Sequence, residues 1–174
     1  GPAVFFSFLG GTPFVAIDML GMTGTEYGLY FMFVPGGFLI GNFLTARFSR
    51  RVGIYFMLVT GSIVALCGVL IMTAAFLVGY NHPLALFLPM YLIGFANGLT
   101  LANSLAGAVS VRPELAGAAS GFAGSMQIGF GAIATVLIGA LLAATESVFP
   151  LTICMALLAG SAVAAAFWTK TARS

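Results

Sequence analysis

Basic residues fall at every second break between the apolar runs of this chain, and that spacing constrains its fold more than any other feature. Arg47, Arg50 and Arg51 follow the second run, Arg112 the fourth, and Lys170 and Arg173 the sixth. The intervening breaks hold Asp18, Glu26, His82 and Glu146 instead. Lys and Arg in short loops are retained on the cytoplasmic face of a membrane, so the alternation predicts an even number of crossings with both ends cytoplasmic.

The lengths agree with the charges. Charged residues make up 6% of the chain and hydrophobic ones 61%, against roughly 25% and 45–50% in an ordinary soluble domain. A helix crosses a hydrocarbon core with about 20 apolar residues, and the runs place spans at 1–20, 28–46, 54–78, 84–107, 117–143 and 148–169. A membrane β-barrel would show alternation at period two, whereas stretches such as 55–78 are apolar all round. The chain therefore reads as an all-α integral membrane bundle of six helices. No basic face interleaved with aromatics points to nucleic acid. Cys67 and Cys154 lie inside apolar runs and behave as small hydrophobes, which predicts neither a disulfide nor a metal site. Gly1 stands where Met would begin a chain, and the apolar stretch from Ala3 to Leu9 has no basic flank ahead of it. That is unlike a signal peptide, and the chain is expected to be a fragment cut at or just inside a first span.

Pro13, Pro35 and Pro89 sit inside the expected spans. Each frees a carbonyl and kinks the helix unless neighbours or water satisfy it, and Pro35, followed by Gly36 and Gly37, marks span two as a bending candidate. Proline and glycine are also simply common in membrane helices. Small residues recur at every fourth position in Gly37, Gly41 and Thr45, in Gly94, Gly98, Ala102 and Ala106, and in Gly117, Gly121, Ser125 and Gly129. Such ladders predict tight helix pairs. Span five adds an apolar stripe from Phe122 through Met126, Phe130, Ile133 and Leu137 to Leu141, suited to lipid or a neighbouring helix, and a polar one of Ser120, Gly124, Gln127, Gly131 and Thr135.

Gln127, the only Gln in the chain, falls near the middle of its span, where an unpaired amide costs several kcal/mol. It must meet a cavity or another polar group. Asn97, Thr100 and Ser104 share one face of span four, with Asn103 to the side, and serve either a water-filled cavity or interhelical bonds worth about 0.6 to 2 kcal/mol each. Phe31, Pro35, Phe38 and Asn42 share a face of span two, and Ser7, Gly11, Phe14 and Asp18 one of span one. An aromatic wall beside isolated amides suits a bulky, mostly apolar ligand, although Phe stripes also pack against helices or lipid. Asp18, near the outer end of span one, is either a proton or cation partner or a solvated loop residue. An enzyme would need a nucleophile beside a base or clustered metal ligands, and the lone His82 lies in an outer turn next to Pro83.

Three stretches carry a resemblance: PFVAIDMLGMTGTEYGLYF at 13–31, GNFLTARFSRRVG at 41–53 and ELAGAASGFAGSMQIGFGAIA at 114–134. Together they resemble the C-terminal six-helix half of a major facilitator superfamily transporter, in the bicyclomycin/chloramphenicol-resistance (Bcr/CflA) group of drug:proton antiporters. The resemblance implies a 3+3 inverted repeat within a twelve-helix fold, an inner-loop gate at Gly41, Arg47, Arg50, Arg51 and Gly53, and spans one, two, four and five lining a central cavity. The acidic residue of the superfamily's inner-loop signature is absent from this copy. The resemblance further implies alternating-access export of amphiphilic drugs driven by the proton gradient, with no bound cofactor. The partners implied are the bilayer of the inner membrane, a small amphiphilic substrate and an N-terminal six-helix half that carries the main proton-carrying carboxylates. A superfamily half for a sugar or other metabolite and a complete six-span dimeric channel or scaffold are the alternatives.

Overall fold

The computed structural model describes residues 2–111, 116–145 and 147–171. Arg112, Glu114, Glu146 and Arg173 lie outside the described residues, so the sidedness assigned to them rests on sequence. Among the described residues every regular element is a helix.

The first helix, α1 (Pro2–Pro13), widens into a π-helical continuation, Phe14–Met19. Pro13 has no N–H for the carbonyl one turn back, and after it the bonding slips to longer rings, with Leu20 N–H donating to Val15 O at 3.0 Å. Gly21, at φ 68°, turns the chain. Then α2 (Gly24–Phe31) starts on a capping box. Thr23 Oγ1 accepts from the Glu26 N–H at 3.3 Å while Glu26 Oε2 accepts from the Thr23 N–H at 2.8 Å, satisfying two donors that a helix start otherwise leaves open.

Helix α2 breaks at Met32 before α3 (Phe33–Val52). Pro35 lacks an N–H, and its ring crowds the carbonyl of Phe31 one turn back; α2 ends on that residue. The expected inner loop at 47–53 is instead the last turns of α3. Arg50 and Arg51 sit where cations favour a helix C-terminus, and Gly53, at φ 88°, stops the helix. Beyond it run α4 (Ile54–Leu77), α5 (Pro83–Val111), α6 (Ala116–Thr145) and α7 (Phe149–Thr171). Pro89 is buried within an unbroken α5. Among the described residues five stretches are long and apolar enough to cross a membrane: 24–52, 54–77, 83–104, 120–145 and 149–168. Ala3–Met19 is a shorter apolar helix. The chain is a multi-pass, all-helical membrane protein.

Packing is closest between α3 and α5. A Cβ on Gly41 would stand 2.2 Å from the Phe95 carbonyl oxygen, and one on Gly98 2.5 Å from that of Phe38. Only glycine lets these backbones touch, and in lipid such packing drives association. Thr45 Oγ1 donates to the Gly98 carbonyl at 3.1 Å in the same seam, and Ser49 Oγ donates to Asn103 Oδ1 at 2.6 Å. Helix α4 meets the opposite side of α5 through Gly61 and Gly68. In the other group α1 meets α6: Gly131 faces the Phe6 ring, and Thr135 Oγ1 donates to the Phe6 carbonyl at 3.0 Å. Between the groups a buried cluster joins Val69 and Met72 of α4 to Leu151, Met155 and Ala159 of α7.

The ladder of span five departs from expectation. A Cβ on Gly117, Gly121 or Gly129 would meet nothing within 4 Å, so among the described residues this face of α6 makes no tight helix pair. The apolar stripe from Phe122 to Leu141 is exposed along its whole length. The same pattern that closes α3 on α5 leaves α6 open on this side.

Candidate functional site

Below the α2–α3 break, five helices, α1, α2, α3, α5 and α6, leave a cavity of about 330 Å³. Phe31 closes α2, and Val34, Pro35 and Phe38 follow on α3, so one helical face crosses the break and supplies a wall. Gly94, Asn97 and Leu101 form the α5 wall; Phe5 enters from α1 and Gln127 from α6. A second hollow of about 140 Å³ shares Leu101 and Gln127 and adds Ser104, Ser120, Ala123 and Gly124. The two make a groove between α5 and α6, and none of the described lining residues is charged.

Two amides and the hydroxyl residues Ser104 and Ser120 interrupt an otherwise apolar surface. Gln127 is half-buried and borders both hollows. Asn97 is 7% exposed, and its Oδ1 is buried with no hydrogen-bond partner among the described residues. Most buried polar atoms are paired, so an orphan in a cavity wall is a marked feature. What such a surface does chemically is solvate apolar bulk and offer a few directional bonds. Among the described lining residues there is no nucleophile beside a base.

Phe31, Phe38, Asn97 and Gln127, expected from sequence to line a cavity, are brought together in one, with Pro35 beside them. Phe14 and Thr100 are placed elsewhere. Phe14 is half-buried against the core cluster. Thr100 turns its methyl toward Gly61 on α4, and its hydroxyl donates to the Asn97 carbonyl at 3.4 Å. Three residues along a helix are about 300° around it, and α5 is buried between neighbours, so that offset is enough to change partner. Asp18 is exposed on the π-helical stretch. Gly41 lies in the α3–α5 seam, while Arg47, Arg50, Arg51 and Gly53 lie exposed where α3 ends. Pro13 is exposed.

Phe5, Val34 and Leu101 were not anticipated. The polar and small residues of α1 mark its inner side, where Ser7 is fully buried and Gly11 faces Leu142 and Leu151. Phe5, two positions before Ser7, points about 200° away from it, toward the cavity. Aromatic identity alone gave no direction.

No family model matches the chain, and no solved structure matches it. Among curated proteins it is 30% identical over 138 residues to the "Bicyclomycin resistance protein homolog" of Haemophilus influenzae, covering 78% of this chain and 34% of that protein. The chain thus spans about a third of that relative's length. The similarity agrees with the resemblance carried by the stretches at 13–31, 41–53 and 114–134: this chain is related to the bicyclomycin-resistance proteins.

Proposed function

We propose that the chain is the C-terminal six-helix half of a twelve-helix major facilitator transporter that exports amphiphilic drugs from the cell in exchange for protons. The observation that carries this reading is the apolar, amide-dotted cavity bounded by α1, the α2–α3 unit, α5 and α6. The relative's name, a bicyclomycin resistance protein homolog, supports a transporter for drugs rather than an enzyme. Among the described lining residues there is no cation, which argues against strongly anionic cargo and so against many metabolites.

The helix neighbours support a 3+3 repeat. Counting α1 as the first span and α2 with α3 as the second, span two packs on span four as span five packs on span one, and spans three and six meet each other. Thr45 and Thr135 make the same bond in the two copies. In the proposed cycle the glycine seam carries α3 and α5 as one body. The two halves rock about the cavity, which opens alternately to each side of the inner membrane. Both ends of the chain lie in the cytoplasm with Arg47, Arg50 and Arg51 at the inner headgroups. Asp18 is exposed away from the cavity, so the main proton-carrying carboxylate belongs to the other half, and Asp18 serves at most as an accessory partner near the outer face.

The test is transport by the full-length protein that carries this chain, reconstituted in vesicles with an imposed pH gradient. Drug movement that follows the gradient and collapses with a protonophore is expected. Gln127→Ala should alter which drugs are exported at unchanged expression. Absence of gradient-driven movement for every drug tried discards the reading.

A further inference from the structure

Phe87 of α5 is not in the cavity wall, yet the outer end of span two rests on it. No residue of α2 is buried. Among the ring contacts of the described residues, those that tie α2 to a helix other than its own continuation both end on Phe87. Tyr30 stacks on it with centroids 5.6 Å apart and planes 27° apart, and Tyr27 meets it edge-on at 5.9 Å. Phe87 is fully buried and also meets Phe8 of α1 edge-on at 6.2 Å, so it is a fixed support. The start of α2 is closed within the element by the Thr23–Glu26 box. Its end is a joint: Met32 and Phe33 are exposed, Pro35 has no N–H for the Phe31 carbonyl, and Gly36 follows. Phe31, the last residue of α2, belongs to the cavity wall and stacks on Tyr27 at 5.7 Å, so it moves with the helix. We infer that α2 is an outer gate of the cavity, hinged at Met32–Pro35, and that Phe87 is the positioning residue that holds it shut.

The inference rests on the proposed transport reading and adds to it the contact that sets when the outer side opens. Two aromatic pairs on one ring favour the closed arrangement by on the order of ten- to a hundredfold. A ligand can select a minor state of that population by binding it better. A helix anchored by buried side chains would have no such reserve, and one without the rings would not stay down.

The experiment uses the full-length protein with Cys67 and Cys154 replaced by Ala. Gln127→Cys, in the cavity wall, is treated with a membrane-impermeant maleimide from either side of sealed vesicles. With Phe87→Leu added, reaction from outside should be about tenfold faster, the bias that the two ring pairs supply, and reaction from the cytoplasmic side no faster. Tyr30→Leu should act in the same direction, while Tyr30→Phe, which keeps the ring, should match the unmutated rate. Spin labels at Leu29→Cys and Leu84→Cys, both exposed on the two facing helices, should show a longer-distance population that grows with Phe87→Leu. Unchanged outside reactivity in both leucine variants overturns the inference, as does an equal rise from both sides, which marks general loosening. So does an unchanged label distance. Gradient-driven drug export by the unmutated protein is measured alongside: its presence with any of these failures leaves the transport reading standing, and its absence for every drug tried discards that reading and the gate with it.

Discussion

The hydroxyl of Thr135 on α6 donates to the Phe6 carbonyl of α1 across 3.0 Å, the same bond from helix to neighbouring backbone that Thr45 makes to Gly98 across 3.1 Å. In each case a glycine lies one turn earlier, Gly131 or Gly41, and brings the partner helix close. Small residue and hydroxyl act together: the first allows the approach, and the second uses it. Thr45→Val and Thr135→Val, which keep shape and remove the donor, should each cost about 0.5–1 kcal/mol. Unfolding midpoints in a detergent series would read this, and an unchanged midpoint for both would show the seams to be held by packing alone.

Glycines of the same pattern should respond in opposite directions. Gly41→Ala sets a methyl 2.2 Å from a backbone oxygen, which cannot move without parting α3 from α5. A loss of about 1–3 kcal/mol or more is expected. Gly129→Ala meets open space and should be neutral or stabilise by up to about 1 kcal/mol through helix propensity. Thermal unfolding of the two variants side by side checks both signs.

Sidedness is open to a labelling test. With Cys67 and Cys154 replaced by Ala, Arg50→Cys should react with a membrane-impermeant maleimide only from the cytoplasmic side, and His82→Cys only from outside. Both positions are exposed and lie at the two ends of α4's crossing. Reaction of both from one side discards the six-span arrangement.

The start of α2 depends on a local device. Thr23→Ala removes the cap and should cost about 1 kcal/mol locally, seen as roughly fivefold faster amide hydrogen exchange confined to 24–31. Unchanged exchange there would mean that contacts of Tyr27 with Phe31 and Phe87 hold the helix without its cap.

Much of this architecture is legible in the residues because in lipid the informative ones are few. Polar side chains must find partners, so Asn97 and Gln127 point inward whatever surrounds them. Small residues mark close approach, as at Gly41 and Gly98. Phenylalanine marks nothing by itself: Phe14 packs in the core, Phe5 lines the cavity and Phe122 is 70% exposed. Hydropathy locates where the hydrocarbon ends rather than where the helix does, which is why Arg47 to Val52 read as a loop but continue α3. Nor does a ladder name its partner, since Gly117 and Gly121 repeat the spacing of Gly37 and Gly41 without a described helix against them. The T-x-x-E signature at Thr23 and Glu26 was available and marks the true start of α2.

The wide turn at Phe14–Met19 divides its helix into two phases. An α-helix advances about 100° per residue, so a surplus residue in one turn rotates all that follows relative to all that precedes. Ala16 is buried and Asp18 exposed under that offset. Deleting one residue from the stretch would let ordinary bonding close through it, leave Phe8 and Thr12 in place, and swing the carboxylate of Asp18 about a quarter-turn around the axis. Length, more than composition, thus sets the direction in which this lone acid of the first helix faces.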